Sequence, residues 1–536
     1  MEKKTTNTTT KKNVAIQQAD EELLASLGYK QEFKRAFSGI ETFGIAFSII
    51  GLLPSIASVL FYSVPNGGPS AMVWGWAVAS IFILFVGMAM GELASAAPTS
   101  GGLYFWTFTL SSPRWRNLLA WIVGYANTIG SIAGIASIDW ACAVQIMAAA
   151  NMGSKDQAFV ATNGQLFGLY ACIVLSHAVI CCFGTSILAR LQSVYVAMNI
   201  LLCLAIIIAL PASTPKEFRN TASYALGNFT NTSGWPSGYA FIMSFLAPLW
   251  TISGFDSSVH ISEEASNAAI AVPWAIVGAI GIAGILGWAI NMALVFCMGT
   301  DLDAIMNSSQ PMAAILLNAF GQKGTLAVWA IIVVCQYMMG SSMVLAASRQ
   351  SFAFSRDGAL PFSSWLYRMN KFTGTPVNTV WFTCILAIAL GLLAFAGSSA
   401  INAVFSLSVT AVYIAYGTPI ACRFLGNNDF KPGPFNLGRF SLPVGIIAVL
   451  WMLFMGIVFL FPATPAPAVQ DMNYTIVVMG GVMGLSLVYY YFPKYGGVYW
   501  FKGPIPTIDD QVDGKTMESE GSLEKKVAPE VVVNTV

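Results

Sequence analysis

Six ionisable side chains lie within long apolar runs of the sequence: Glu41, Glu92, Asp139, His177, Asp256 and His260. A charge at mid-bilayer depth costs roughly 2.5–3.5 kcal/mol on insertion scales, so such a residue faces an interior cavity, finds a partner or handles protons. Asp256 directly follows a run of helix breakers, FLAPLWTISGFDSSVHISEE, where Pro248, Thr251, Ser253 and Gly254 interrupt an apolar segment. Two roles are open to it, tethering an unwound segment by hydrogen bonds or carrying a proton, and both are compatible. Asp139, in SIAGIASIDWACAV, is a second coupling or gating candidate, expected near one end of its helix. Glu92 is expected to order a loop or pair with a basic residue, and Glu41, Glu263 and Glu264 to mark helix ends beside a gate. No cluster of Cys, His or Asp surrounds His177 or His260, which reads as packing rather than metal ligation.

A second chemistry is the capture of a small zwitterion. The run GIAFSIIGLLPSIAS places Ser48, Gly51, Pro54 and Ser55 inside another apolar segment. Glycine relaxes the backbone and proline frees a carbonyl, so both segments can unwind where protein or water satisfies the exposed groups. The N-terminus of a half-helix offers N–H groups to a carboxylate, and free carbonyls at a half-helix C-terminus hold an ammonium group. Trp250 is placed to cap such a substrate, and Gln336, Tyr337, Ser341 and Ser342 are candidate cavity or ion ligands. The competing reading is ordinary membrane-helix packing, since glycine is common there and this chain has 48.

The elements that position these residues follow from composition. Apolar residues make up 56% of the 536 and charged ones 10%, whereas soluble domains carry about a quarter charged residues. The apolar residues form runs of roughly 17–25, long enough to cross the hydrocarbon as helices. The expected fold is an all-α polytopic membrane protein with twelve spans, near 40–64, 70–97, 117–149, 163–184, 188–210, 236–262, 272–299, 323–349, 377–396, 401–424, 441–461 and 474–493. Short non-spanning helices are expected at 101–110 and 311–320. Breaks in spans one and six, five spans apart, fit an inverted repeat. This divides the chain into a tail (1–38), a first repeat (39–210), a loop (211–235), a second repeat (236–424), two further spans (425–495) and a second tail (496–536).

With no apolar leader in the opening residues, the first span is expected to be its own insertion signal. Placing both termini in the cytosol puts 22 Lys and Arg residues on that side and 4 on the other, in accord with the positive-inside rule. The sequons at Asn228, Asn231, Asn307 and Asn473 then fall outside or in a lumen, where glycosylation occurs, while Asn7 is cytosolic. The nine cysteines lie in or beside apolar runs and read as small core residues. A net charge of +1 and the lack of a basic patch argue against nucleic acid. No Walker pattern, nucleophile elbow or metal cluster points to an enzyme or an ATP-driven pump, and no ring of charge points to a channel.

Five segments carry a resemblance: FGIAFSIIGLLPSIAS (43–58), GELASAAPTSGGLYFWT (91–107), FDSSVHISEE (255–264), SRQSFAFSRDGALP (348–361) and TPVN (375–378). Over about 28–500 the chain resembles the amino acid–polyamine–organocation transporter superfamily, in its fungal GABA permease branch. The resemblance implies a five-plus-five inverted repeat and alternating access around broken helices one and six. Ser48, Ile49, Ile50 and Gly51 would line a carboxylate subsite, and Trp250, Thr251, Ile252, Ser253 and Gly254 an ammonium subsite. Trp250 matches an aromatic gate and Asp256 an acid that links the gate to protons, while Arg349, Arg356 and Asp357 suggest an ion-pair network at the inner gate. Those three also fit an exposed cytosolic loop that carries positive charge. Span one departs from the pattern, because Phe47 and Ile49 flank Ser48, and 191–210 holds no lysine to serve as the proton carrier of some relatives.

The implied function is secondary active transport of GABA or a related small amino acid, coupled to protons rather than sodium, with no cofactor. Polyamine or choline transport, and a transporter-like nutrient sensor, are the alternatives. A sensor would be expected to carry a long cytosolic extension, whereas each tail here has about forty residues. Partners are a small amino-containing solute and membrane lipid. The plasma and vacuolar membranes fit equally, the oligomeric state is left open, and acidic stretches at Asp20–Glu22 and at Asp509, Asp510 and Asp513 are candidates for sorting or regulation.

Overall fold

The computed structural model describes residues 2–155, 158–183, 185–308, 310–468 and 472–507. Asp509, Asp510 and Asp513, with the rest of the second tail from 508 onward, lie outside the described residues, as do Ser309 of the Asn307 sequon and the side chain of Asn7. Two units divide the chain. In the smaller, the Glu2–Ser26 helix leads into Gly28, whose carbonyl accepts the Thr507 N–H at 2.9 Å, while the Thr507 hydroxyl accepts the Lys30 N–H at 2.8 Å. The larger unit, Phe33–Gly503, is a bundle of helices.

Among the described residues, ten helices are long and apolar enough to cross a membrane: Gly39–Ser63, Gly68–Ala96, Arg116–Gly153, Asn163–Cys182, Ile187–Ser213, Ala268–Cys297, Pro311–Arg356, Val377–Phe395, Ser398–Leu425 and Gly438–Val458. The protein is therefore a multi-spanning, largely α-helical membrane protein. Its outward faces carry apolar side chains such as Leu201, Ile208, Ile285, Leu450 and Leu453, each more than half exposed, which only a lipid solvent accommodates at this density. Arg116–Gly153 packs against both Pro311–Arg356 and Ser398–Leu425 and forms the middle of the bundle. Inside, hydroxyls bond carbonyls one turn back, as at Ser58 to Pro54 (2.8 Å), Thr107 to Leu103 (2.7 Å) and Thr128 to Gly124 (2.8 Å). Each of these hydroxyls is thereby satisfied within its own helix, as burial away from water requires.

Two expected spans depart from the twelve-helix reading. The sixth, expected at 236–262, is three short helices, Ser237–Met243, Leu246–Thr251 and Ser257–His260, with irregular backbone over 252–256. Pro248 cannot continue the hydrogen-bond ladder, and Gly254 turns at φ +73°. The twelfth, Thr475–Tyr491, is apolar but has 17 residues, short of the ~20 that span a bilayer. The first segment is two helices, Gly39–Ile50 and Leu52–Ser63, joined at Gly51 with φ 44° and ψ 59°. A side chain there would cost roughly 1–2 kcal/mol in backbone strain, and its Cβ would meet Met339 Sδ at 2.6 Å.

Other elements follow the sequence with corrections. The 311–320 helix ends at Gly321, where φ 67° and ψ 178° kink the Pro311–Arg356 helix. Leu103–Leu110 is a helix packed on Arg116–Gly153 and Ser398–Leu425, with most of its side chains buried. Arg349 and Arg356 do not lie in an exposed loop: the helix continues through both, and they and Asp357 are 0%, 6% and 1% exposed. Strands Asn66–Gly67 and Thr230–Asn231 pair antiparallel and tie the end of the first segment to the sequon-bearing stretch. There the Asn228, Asn231 and Asn473 amides are half-buried and bonded to Thr230, Trp235 and Phe459, whereas Asn307 is exposed.

Candidate functional site

The two breaks meet. A Cβ on Gly254 would lie 2.5 Å from Ile49 Cγ2, so the glycine lets the unwound sixth segment rest on the first. Between them lies a central cavity lined by Ile49, Trp250, Ser253, Gly254 and Asp256. The opposite wall is Gly130, Ser131, Gly134, Ser137 and Ile138 of Arg116–Gly153, with Met339, Met343, Ser408 and Val412. Its free volume is about 20 Å³, room for roughly one water, so the site is contracted. Ser48 Oγ and Thr251 Oγ1, one at each break, are buried without a hydrogen-bond partner among the described residues. A buried hydroxyl left in this way costs roughly 1–3 kcal/mol, which a polar ligand head group would recover.

Trp250 closes one side. Its indole N–H donates to Ser137 Oγ at 3.1 Å, and its ring sits on Phe405 with centroids 5.0 Å apart. Phe405 also touches Phe61 and Tyr62, at 6.4 and 6.3 Å. Those two line a second cavity of about 330 Å³ with Asn66, Met243 and Asn402. The Trp250–Phe405 layer therefore separates a wide vestibule from the contracted centre.

On the other side Asp256 opens a chain of polar contacts. Its Oδ2 is 3.3 Å from His260 Nε2, which also lies 3.0 Å from Asn127 Nδ2, while His260 Nδ1 is 2.9 Å from the Ser100 carbonyl. The Ser100 N–H donates to Glu263 at 3.0 Å, and Arg356 reaches both oxygens of Glu263 at 3.2 Å. Beside this pair, Arg349 donates to Glu264 at 2.8 Å and Tyr104 to Asp357 at 2.7 Å. The backbone of Ala36 and Phe37 bonds the Glu264 carbonyl, at 2.9 and 3.0 Å, tying the start of the first segment to the end of the sixth. Buried charges are tolerable only when paired and hydrogen-bonded in this way, and removing one partner typically costs roughly 3–5 kcal/mol.

The remaining candidates are elsewhere. Gln336 donates to the Ile138 carbonyl at 3.0 Å, and Tyr337 bonds Ser176 at 2.7 Å. Ser341 donates to the Met338 carbonyl at 2.8 Å, and Ser342 to Gln192 at 3.2 Å. None of the four lines the cavity; Met339 and Met343 of the same helix do. Asp139 pairs with His177 at 3.1 Å, fully buried and off the cavity. Glu92 pairs with Arg423 and accepts from Leu437 N–H (2.8 Å) and the Ser441 hydroxyl (2.6 Å), ordering the approach to the Ser441–Val458 helix. Ser48, Ile50, Gly51, Thr251 and Ile252 flank the lining residues in sequence and are not themselves part of the cavity lining. Sequence reasoning missed Ser131, Ser137 and Phe405; the i, i+4, i+7 stripe of Gly130, Gly134 and Ser137 is the signal that marks a closely approached helix face.

Broken helices thus surround a small cavity, with an aromatic layer on one side and ion pairs on the other. The amino acid permease family model matches residues 37–482, and the chain belongs to that family, within the amino acid–polyamine–organocation superfamily. It is a secondary-active amino-acid permease and not an enzyme. It is similar to an uncharacterised amino-acid permease of Schizosaccharomyces pombe, 41% identical over 92% of this chain and 89% of the relative. It is also similar to the GABA-specific permease of Saccharomyces cerevisiae, 38% identical over 92% of this chain and 86% of the relative, and to an amino-acid permease of Arabidopsis thaliana, 31% identical over 92% and 98%.

Proposed function

We propose that this permease carries GABA or a related small amino acid by alternating access, with a proton moving alongside it, across twelve spans arranged as a five-plus-five inverted repeat. The carrying observation is the pair of facing breaks with unpartnered hydroxyls, Ser48 and Thr251, beside a cavity whose one lining carboxylate is Asp256. One acid suits the single ammonium group of an amino acid, whereas a polyamine calls for acids at both ends. Trp250 alone among the lining residues is aromatic, and a choline cage needs several rings. Likeness to the GABA-specific permease points the same way. Ser341 and Ser342 lie off the cavity, whereas Asp256 lines it and is the proton carrier of this reading. Both termini are cytosolic in this reading, in the plasma or vacuolar membrane, with the Glu263–Arg356 end facing the cytosol and Asn307 the best-exposed glycosylation site.

The test is uptake of radiolabelled GABA by the purified protein in proteoliposomes under imposed proton gradients, with putrescine and choline as competitors. Gradient-driven accumulation that D256N abolishes is the expected outcome. Flux of a competitor without GABA flux would overturn the substrate.

A further inference from the structure

His260 occupies the junction between the substrate cavity and the Glu263–Arg356 pair. A neutral imidazole carries one N–H and one lone pair, and the hydrogen bonds decide which nitrogen has which. The Ser100 carbonyl, 2.9 Å from Nδ1, can only accept, so Nδ1 carries the hydrogen. The Nε2 lone pair then accepts from the Asn127 amide at 3.0 Å while facing Asp256 Oδ2 at 3.3 Å. A lone pair and an ionised carboxylate repel at that distance. One added proton removes the conflict, either as an Asp256 O–H donating to Nε2 or as an imidazolium paired with the carboxylate. In either form the Asn127 N–H gives up the Nε2 lone pair, and in the second Asn127 turns its oxygen to the ring; Asn127 Oδ1 is buried and without a partner among the described residues.

We infer that Asp256 and His260 together bind the coupling proton, and that Ser100 transmits its presence to the Glu263–Arg356 ion pair. This rests on the proton-coupled reading above and adds to it the partner of Asp256 and the route to the inner gate. The proton comes from water on one side and returns to water on the other; the pair gains one positive charge while it is held. Ser100 is the link because its carbonyl takes the imidazole N–H and its own N–H goes to Glu263 at 3.0 Å. Other titratable groups around the pair are accounted for. Tyr416 of Ser398–Leu425 lies beside Asp256, and its ring centroid is 6.4 Å from that of Tyr413. Pro311–Arg356 contributes Arg349 and Arg356, matched by Glu264 and Glu263, and Tyr104 is engaged by Asp357. Arg116–Gly153 contributes the neutral Asn127.

The chain has two histidines, so nitrogen-15 NMR of histidine-labelled full-length protein in lipid nanodiscs, assigned with a His177→Gln variant, reads the site without any substrate. His260 is expected to keep its hydrogen on Nδ1, toward the Ser100 carbonyl, and to meet the added proton at Nε2, toward Asp256. D256N is expected to lower the fraction carrying the Nε2 proton, because the carboxylate it replaces faces that nitrogen at 3.3 Å. Binding linkage is reciprocal, so loosening the gate must act back on His260. E263L, which removes the acceptor of the Ser100 N–H, lowers that fraction further than E263Q, which removes the same charge but keeps an acceptor oxygen, when Ser100 carries the link; a direct charge effect alone makes the two equal. An Nε2–H neutral tautomer, indifference to D256N, or equal shifts for E263L and E263Q would each overturn the inference. In proteoliposomes, H260Q is expected to lower gradient-driven GABA accumulation about tenfold, equivalent to about 1.4 kcal/mol, and to flatten its pH profile, with a smaller effect on GABA counterflow. An unchanged pH profile would overturn it. Should the wild-type protein accumulate no GABA, the substrate reading fails, and the NMR result still decides the proton site.

Discussion

The molecule holds two buried aspartate–histidine pairs, and they are built differently. Asp139 and His177 come from separate helices, Arg116–Gly153 and Asn163–Cys182, and meet at 3.1 Å with both side chains 0% exposed. The imidazole lies against Tyr337 with centroids 4.3 Å apart, and a Cβ on Gly340 would fall 2.0 Å from Asp139 Oδ1. Asp256 and His260 are four residues apart on one broken segment, at the cavity wall, and both ring nitrogens have polar contacts leading away from it. The first pair clasps three helices; the second joins two compartments. The same two side chains thus serve packing or proton traffic according to whether a polar path reaches them.

Mutations separate the two pairs. The largest effect is expected from D256N, with gradient-driven accumulation falling about 100-fold or more, the scale of a lost acid–base group, as measured by radiolabelled uptake. G340A is expected to cost about 3 kcal/mol by overpacking the sealed pair, seen as lower thermal stability in detergent. D139N should remove a charge-assisted hydrogen bond at a cost of about 2 kcal/mol in the same assay while the pH profile of uptake keeps its shape; a flattened profile would show that the sealed pair also handles protons and would break the comparison. The smallest effect belongs to W250F, which loses the bond to Ser137 and with it about 1 kcal/mol, read as a roughly fivefold rise in KM without a change in pH profile.

The breaks at Gly51 and 252–256 are legible in the sequence because glycine and proline stand out against an apolar background. The second interruption of the sixth segment, the turn at 244–245 that makes three pieces of 236–262, is not, because hydropathy counts side chains and takes no account of backbone conformation. Charge marks Glu263, Glu264, Arg349 and Arg356 as a group, yet it suggests exposure where pairing permits full burial. Ser341 and Ser342 attract notice as oxygen ligands, but the rotation of a helix uniform in hydrophobicity cannot be read from its composition, and the cavity receives Met339 and Met343 instead. Ser131 and Ser137 go unremarked for the opposite reason: small residues are common in every span.

The ion pairs at the Glu263 end also constrain how the chain is made. Glu264 precedes its partner Arg349 by 85 residues and Glu263 precedes Arg356 by 93. During synthesis the two carboxylates leave the ribosome first and stay near water until the later arginines arrive, since neither acid can enter an apolar interior alone. Neither ion pair of this end can form before its arginine has been made, so a chain that stops short of Arg349 leaves both acids without these partners.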